Sequence, residues 1–190
     1  MPGPVVESGE RITFRTVERE DAEFLQQSAT HPRIRFPLGQ FRHKNRAERR
    51  DQLGAHAEGD DSYAFLVCLD DDGAPAGHAG DATTPIGAVM VHGVDGDRAW
   101  LSYWLVPAFH GEGYGGEAAG LAVDYVFRNT GVHAVSAGAY DFNDESRGLL
   151  ESLGFTEDVR EREGGYADGE YRDLYVYSLL RREWEGRRGD

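Results

Sequence analysis

The chain of 190 residues has one cysteine, one lysine and no long run of apolar residues. Cys68 lies in the apolar stretch 64–69, so we expect a core residue rather than a nucleophile, and no intrachain disulfide can form. This stretch is the longest unbroken apolar run, and a membrane span needs roughly 20 such residues. The first eight residues carry neither the basic nor the apolar segment of a secretory signal. We therefore expect a cytoplasmic protein without a membrane partner.

Basic residues are scarce and almost all are arginine: the formal net charge is −14, and Lys44 is the only lysine. A strongly acidic, lysine-poor surface is typical of proteins from salt-adapted cells, although a high genomic GC content alone would also favour arginine. The basic residues concentrate in 33–50, a segment with a formal charge of +6 against −20 for the rest of the chain. Two interpretations of this segment are open: a solvated helix face, or a site for an acidic substrate, a phosphorylated cofactor or RNA.

Hydrophobic periodicity and turn residues predict one α/β (α+β) domain over 1–190, with a core of about 11–184. The predicted order, β-α-α-β-β-β-α-β-α-β-β, describes a mixed, mostly antiparallel twisted sheet flanked by helices. Strands are expected at 11–17, 63–69, 86–92, 99–106, 132–140, 155–162 and 174–179. Helices are expected at 20–28 (ended by His31-Pro32), 46–56, 116–129 and 145–153. The remaining assignments are an extended loop at 73–85, a turn region at 164–169 and a charged tail at 181–190.

A glycine-rich segment, 110–116, separates the predicted strand 99–106 from the helix that follows it. Its glycines remove side chains, so consecutive backbone N–H groups can face an anion, and the helix N-terminus adds partial positive charge. The segment therefore predicts a phosphate or pyrophosphate site, against the alternative of a turn with a steric role only. It also fits the dinucleotide fingerprint G-x-G-x-x-G, but about a hundred residues of antiparallel structure precede it and no acidic residue ends a second strand about 20 residues later. A nicotinamide enzyme is therefore not expected.

Three blocks, in the same order along the chain, resemble the GNAT acetyltransferases and among them the RimJ/RimL-type N-acetyltransferases. The first runs from the strand end 103–107 into 110–115, where the family has (Arg/Gln)-x-x-Gly-x-(Gly/Ala) for the pyrophosphate of coenzyme A. The second, 143–155, is similar to the family's Asn-x-x-Ser…Leu-Gly-Phe helix, and the third, 171–184, resembles the subfamily's closing strand. The resemblance implies a single GNAT-like domain that transfers acetyl from acetyl-CoA to a primary amine, on a protein N-terminus or a small molecule.

The resemblance also implies roles for individual residues. Backbone groups of Leu105 and Val106, where the strand bulges and separates from strand 132–140, would pair with the pantetheine arm, and one N–H would polarise the thioester carbonyl. Asn143 would bind the pantetheine region. Ser146 would protonate the departing thiolate directly or through water, or else would be an ordinary first-turn serine that bonds the backbone. The pyrophosphate would be held by His110, Gly111, Gly113, Tyr114, Gly115 and Gly116.

Two positions depart from the family pattern. His110 stands where the family has arginine or glutamine, and histidine donates to phosphate less reliably at neutral pH. Trp100 stands where many relatives carry a glutamate that deprotonates the amine through water, so the base must come from elsewhere. His92 is one candidate base, a carboxylate from the first hundred residues is another, and water suffices if the amine arrives partly neutral. The rival class is a GNAT-like module that senses acetyl-CoA without turnover.

The expected mechanism is direct attack of the amine on the acetyl thioester, with catalysis by orientation and oxyanion stabilisation. No metal site is expected, because the seven histidines are scattered without ligand spacing. No nucleic-acid partner is expected either, and both a monomer and a homodimer are open. Because the family builds part of its acceptor site from the region of 33–50, the basic segment favours an acidic or neutral acceptor over a polycation such as spermidine.

Overall fold

A computed structural model describes residues 2–40, 42–56, 61–71 and 73–188. Within these residues, eight strands form one sheet in the order β1-β2-β3-β4-β5-β6-β8-β7. The strands are β1 Val5–Ser8, β2 Thr13–Thr16, β3 Ser62–Asp70, β4 Thr83–His92, β5 Arg98–Leu105, β6 Ala134–Tyr140, β7 Thr156–Ala167 and β8 Glu170–Leu180. The helices are α1 Ala22–Leu25, α2 Gln27–Thr30, α3 Pro32–Arg35, α4 Arg46–His56, α5 Tyr114–Asn129, α6 Asp144–Ser152 and α7 Arg181–Arg188. Short 3-10 turns lie at Arg19–Asp21 and Pro107–Phe109.

The predicted mixed, mostly antiparallel sheet flanked by helices is confirmed, since β5 and β6 are the parallel pair among these neighbouring strands. Alternate residues of β3 point to opposite faces, as in any strand. Phe65 and Val67 pack with the buried side of α5 on one face. Leu66 and Cys68 pack beneath the N-terminal helices on the other face, with Leu25 and Trp104. The sheet is therefore covered on both sides, and Cys68 is the buried core residue that the sequence indicates.

The N-terminal third departs from the predicted boundaries. Strand β1 was not expected, and it pairs with β2 through a register irregularity between Val5 and Glu7. The predicted helix 20–28 is a succession of short pieces. The break at His31-Pro32 is correct for α2, but Pro32 then opens α3 as its first residue, a position where a missing N–H costs nothing. The loop predicted at 73–85 ends at residue 82, because β4 begins at Thr83.

The C-terminal hairpin shows two further differences. The turn region predicted at 164–169 is wrong: β7 continues to Ala167, and the turn itself consists of Asp168 and Gly169, both with positive φ. The glycines at 164 and 165 belong to a stretch where the register shifts against β8, so they mark an irregular strand instead of its end. The tail predicted as merely charged forms α7 directly after β8.

The sheet opens between β5 and β6. Their parallel pairing is limited to 98–100 against 134–136. Beyond Trp100, β5 stays paired with β4 as far as Leu105, while β6 stays paired with β8 as far as Tyr140. Two strands that are each held by an outer neighbour but not by one another leave a V-shaped cleft in the middle of the sheet.

Candidate active site

The cleft has a volume of about 730 Å³ and lies where β5 and β6 diverge. The N-terminal turns of α5 and α6 and the helix α3 all contribute to its lining. Its lining includes Trp100, Tyr103, Leu105, Gly138, Tyr140 and Ser146.

Leu105 lies at the end of β5, and its backbone faces the cleft. The Val106 N–H donates to the Ile86 carbonyl at 2.8 Å, and the Val106 carbonyl accepts from the Phe109 N–H at 2.9 Å. Because successive residues of an antiparallel strand direct their N–H and C=O groups to opposite edges, those of Leu105 point away from β4 and towards the gap. Of the two residues predicted to face the pantetheine arm, Leu105 therefore has the suitable backbone geometry and Val106 does not.

The expected bulge in this strand is absent from the β4/β5 register. Pairing runs without a shift from His92 opposite Trp100 to Gly87 opposite Leu105. Strands β5 and β6 separate for another reason: β5 stays paired with β4, while β6 stays paired with β8.

The glycine loop presents backbone donors to the end of the cleft. Gly113 is the N-cap of α5, with φ 83° and ψ −4°, a left-handed conformation that favours glycine. The helical bonding begins with the Glu117 N–H, which donates to the Gly113 carbonyl at 3.2 Å, so the N–H groups of the preceding helical residues are available to a ligand. A Cβ at Gly116 would meet no protein atom within 4 Å. Free N–H groups and open space at a helix N-terminus fit a pyrophosphate.

Arg11 secures the outer side of this loop, a role that the sequence analysis missed. Its backbone N–H and Nε donate to the Glu117 carboxylate at 2.7 and 3.0 Å, and Nη1 donates to the Glu112 carbonyl at 2.8 Å. The guanidinium also lies 4.7 Å from the ring centroid of Tyr114. The Tyr114 ring is therefore held outside the loop. The backbone N–H of Tyr114 is then the group of this residue that can bind a pyrophosphate. No signal in the sequence joins positions more than a hundred residues apart.

His110 bridges two walls of the cleft. Its Nε2 lies 3.0 Å from the Leu105 carbonyl oxygen, and since a carbonyl only accepts, Nε2 carries the proton of this bond. Its Nδ1 lies 3.8 Å from Oε2 of Glu145, a largely exposed side chain at the start of α6. The ring predicted to donate to phosphate is thus bound through Nε2 to the strand end.

The first turn of α6 carries the two predicted polar residues. Asn143 is the N-cap, and its Oδ1 accepts the Ser146 N–H at 3.3 Å, which leaves the Nδ2 donors of Asn143 for a ligand. The Ser146 hydroxyl lies 2.8 Å from the Tyr103 hydroxyl, so its partner is a side chain of β5 rather than a backbone group. Burial raises the pKa of Tyr103 to about 12, against the opposing effect of the bond with Ser146.

The structure does not bring His92 together with these residues. His92 is exposed at the end of β4, opposite Trp100, and it is not among the described residues that line the cleft. The physical reason is its place in the sheet, since β5 separates β4 from the gap. Carboxylates from the first hundred residues are likewise missing from the described lining, whose carboxylate is Glu145.

The part of the lining that Trp100, Leu174 and the segment 33–38 contribute is apolar apart from one cation. Trp100 is 40% exposed, and a Cβ at Gly138 would lie only 3.1 Å from its ring, so glycine allows the indole to rest against β6. Apolar side chains of this end include Ile34, Pro37, Leu38 and Leu174. Arg33 is the cation.

The rest of the basic segment 33–50 lies elsewhere in the part that the structure describes. Arg46 pairs with Glu23 at 3.1 Å on the surface. Arg49 is buried, which lowers its pKa, and donates to the Ser28 hydroxyl at 2.6 Å. The segment is therefore neither a plain solvated face nor a continuous anion site, because its members are divided between surface, core and cleft.

The described residues contain no group of three or more His, Cys, Asp or Glu side chains placed to hold a metal ion. None of their helices is long and apolar enough to cross a membrane.

Comparisons with known proteins agree with one another. The sequence profile of the family described as "Acetyltransferase (GNAT) domain" matches residues 11–156. The chain is 30% identical over 186 residues, 93% of its length and 95% of the relative's, to "Putative ribosomal N-acetyltransferase YdaF" of Bacillus subtilis (strain 168). It is 27% identical over 181 residues to "Uncharacterized N-acetyltransferase p20" of Bacillus licheniformis, covering 93% of this chain and 97% of that one.

A solved structure shares the fold. The spermidine N-acetyltransferase from Vibrio cholerae, in complex with CoA and spermine, superposes with a TM-score of 0.81 over 92% of this chain and 98% of its own. The two sequences are 20% identical, so this likeness concerns the fold.

Proposed function

The chain belongs to the GNAT acetyltransferase family and is an acetyl-CoA-dependent N-acetyltransferase, and we propose that its acceptor is a primary amine on a neutral or acidic molecule, above all a protein N-terminus. The observation that carries this proposal is the charge of the cleft. Apart from tyrosines, the ionisable side chains among its described lining residues are Arg33, His110 and Glu145.

These charges are distributed unevenly. Glu145 lies beside His110 near the glycine loop, whereas Arg33 belongs to the segment 33–38, whose other lining residues are apolar. A polyamine brings a second cation that must leave water, and desolvating an unpaired charge is costly unless a carboxylate receives it. An amine attached to a peptide brings amide groups and, in an acidic sequence, a carboxylate that Arg33 can pair with. The name of YdaF, which includes "ribosomal", supports a protein acceptor as well.

The proposed chemistry is direct attack of the neutral amine on the acetyl thioester. The Leu105 N–H would polarise the thioester carbonyl, and the N–H groups of the loop 111–116 would hold the pyrophosphate. Asn143 would bind the pantetheine arm through Nδ2, and Ser146 would protonate the thiolate. The base would be water, since His92 lies outside the cleft. A cytoplasmic location remains a prediction, and a sizing measurement decides between a monomer and a homodimer.

Release of the CoA thiol with a panel of acceptors tests the proposal. We expect turnover of a peptide with an acidic second residue to exceed that of spermidine at least 10-fold in kcat/KM. Arg33→Gln should reduce this preference several-fold. Arg50→Gln removes the same charge from an exposed position of α4 that does not line the cleft, so it should leave the preference unchanged.

Equal turnover of spermidine and the acidic peptide by the parent protein contradicts the proposed acceptor. Binding of acetyl-CoA with no thiol release for any amine contradicts turnover itself, and would leave the alternative of a sensor.

A further inference from the structure

Tyr103 and Ser146 meet across the cleft. Tyr103 belongs to β5 beyond the point where β6 has diverged, and Ser146 to the first turn of α6. Their hydroxyl oxygens are 2.8 Å apart, a normal hydrogen bond between two groups that are 43 positions apart in the chain. Both residues line the cleft.

We infer that Tyr103 is a positioning residue, which holds the Ser146 hydroxyl with its proton directed towards the leaving thiolate. The inference rests on the proposed role of Ser146. Each hydroxyl has one proton and can also accept, so the direction of the bond decides what reaches the cleft. A phenol is the stronger acid and an aliphatic hydroxyl oxygen the better acceptor, so Tyr103 donates and Ser146 accepts. The Ser146 proton then remains for a partner in the cleft.

The surroundings of both residues support this direction. Because burial raises the pKa of Tyr103, the phenol stays neutral and keeps its donor proton over the working pH range. The Asn143 side chain fixes the Ser146 backbone from the other side by accepting its N–H. Ser146 is therefore held at its amide and at its oxygen, and what remains free to point into the cleft is its O–H.

As the C–S bond of the tetrahedral adduct breaks, its electron pair goes to sulfur, and the Ser146 proton moves to that sulfur to form the CoA thiol. The bond from Tyr103 stabilises the negative charge that develops on the Ser146 oxygen. Ser146 regains a proton from water, and the proton lost by the amine goes to water, so the net products are the N-acetyl amide and the thiol.

The variants Tyr103→Phe and Ser146→Ala and their combination test this pairing. We expect Tyr103→Phe to lower kcat at least 10-fold, with the KM for acetyl-CoA within about twofold of the parent value, because the bond matters when the thiolate leaves. The double variant should be no slower than Ser146→Ala, since both changes break the same hydrogen-bonded pair. Tyr125→Phe is the matched control, because it removes a partly buried phenol oxygen from α5. The Tyr125 ring packs against Tyr63 and Phe65 outside the cleft lining, so kcat should be unchanged.

Three results would overturn the inference. The first is a Tyr103→Phe variant with the parent's kcat. The second is a double variant whose loss equals the product of the two single losses, which means independent roles. The third is a loss of kcat in Tyr103→Phe without a loss in Ser146→Ala, which would make Tyr103 itself the donor of the proton to the thiolate. Failure of the proposed function is seen separately, as a parent protein that releases no CoA with any amine.

Discussion

His110 Nε2 lies 3.0 Å from the carbonyl oxygen of Leu105, so the histidine at the head of the glycine loop is bound to the strand end at the mouth of the cleft. The same carbonyl belongs to the residue whose N–H is proposed to polarise the thioester. In this protein the position that is expected to bind the pyrophosphate therefore also contacts the backbone at the proposed reacting centre.

A truncated co-substrate separates the effect of His110 on the pyrophosphate from its effect on the Leu105 backbone. We expect His110→Ala to lower kcat about 5-fold with acetyl-CoA, as the loss of one hydrogen bond of about 1 kcal/mol implies. The loss should persist with S-acetylpantetheine, which has no pyrophosphate. An effect confined to acetyl-CoA would mean that the ring serves the phosphates and not Leu105.

His110→Arg restores the family residue and should lower the KM for acetyl-CoA. An unchanged affinity would make the histidine a neutral replacement.

Gly116→Ala tests the pyrophosphate loop without disturbing the fold. The new Cβ would meet no protein atom within 4 Å, and alanine is the better helix former, so the melting temperature should be unchanged or higher. In the cleft the same methyl group competes with the phosphates, and the KM for acetyl-CoA should rise at least 5-fold. Gly120→Ala, one turn further along α5 and outside the cleft lining, is the control and should leave that KM unchanged. An unchanged KM in Gly116→Ala would contradict the loop assignment.

Arg15 is predicted to be essential for stability. Its side chain is fully buried and donates to Asp70 at 2.9 Å and to the carbonyls of Gly3, Pro75 and Gly77. Arg15→Met would leave a mostly buried carboxylate without its cation, at a cost of about 3–5 kcal/mol in the free energy of unfolding. Denaturant titration measures this loss. A loss below about 1 kcal/mol would mean that water replaces the guanidinium without penalty.

The same pair predicts a dependence of stability on pH. Burial by itself would raise the pKa of Asp70, but hydrogen bonds from Thr13, Thr83 and Arg15 outweigh it and lower the pKa. A lowered folded-state pKa means that the stabilisation is complete above the unfolded value of about 3.9 and is lost as the pH falls through the folded value. Melting temperatures should therefore fall less steeply in Asp70→Asn than in the parent as the pH is lowered below about 4. Equal slopes would show that other groups control acid unfolding.

The net charge of −14 predicts that salt stabilises the protein. Screening reduces repulsion between carboxylates, so the denaturation midpoint should rise from low to molar salt. Potassium chloride is the suitable salt, because it has little specific effect on burial. A midpoint that does not change would count against a salt-adapted surface and leave genomic composition as the reason for the arginine excess.

Much of the fold could be predicted because its signals are local. The period-2 pattern of β3 and the apolar face of α5 lie within single elements, and the phosphate site predicted at 110–116 depends on local backbone freedom. The turn predicted at 164–169 is misplaced, because Gly164 and Gly165 signal a turn locally, whereas pairing with β8 continues the strand past them. Pairing partners lie outside the window in which such signals are read.

By itself, the sequence determined the order of the elements from β3 to β8 and the family, and it predicted the anion-binding loop, since each depends on residue types at short spacing. Tertiary structure alone decided which groups meet: Tyr103 with Ser146, His110 with Leu105, and Arg11 with Glu117, which is 106 positions away. It also placed His92 outside the cleft. Among the described residues of the basic segment 33–50, Arg33 is the cation that lines the cleft. The reason is that side-chain contacts across a splayed sheet depend on where the strands diverge, and that divergence results from the competing pairings of β5 with β4 and β6 with β8.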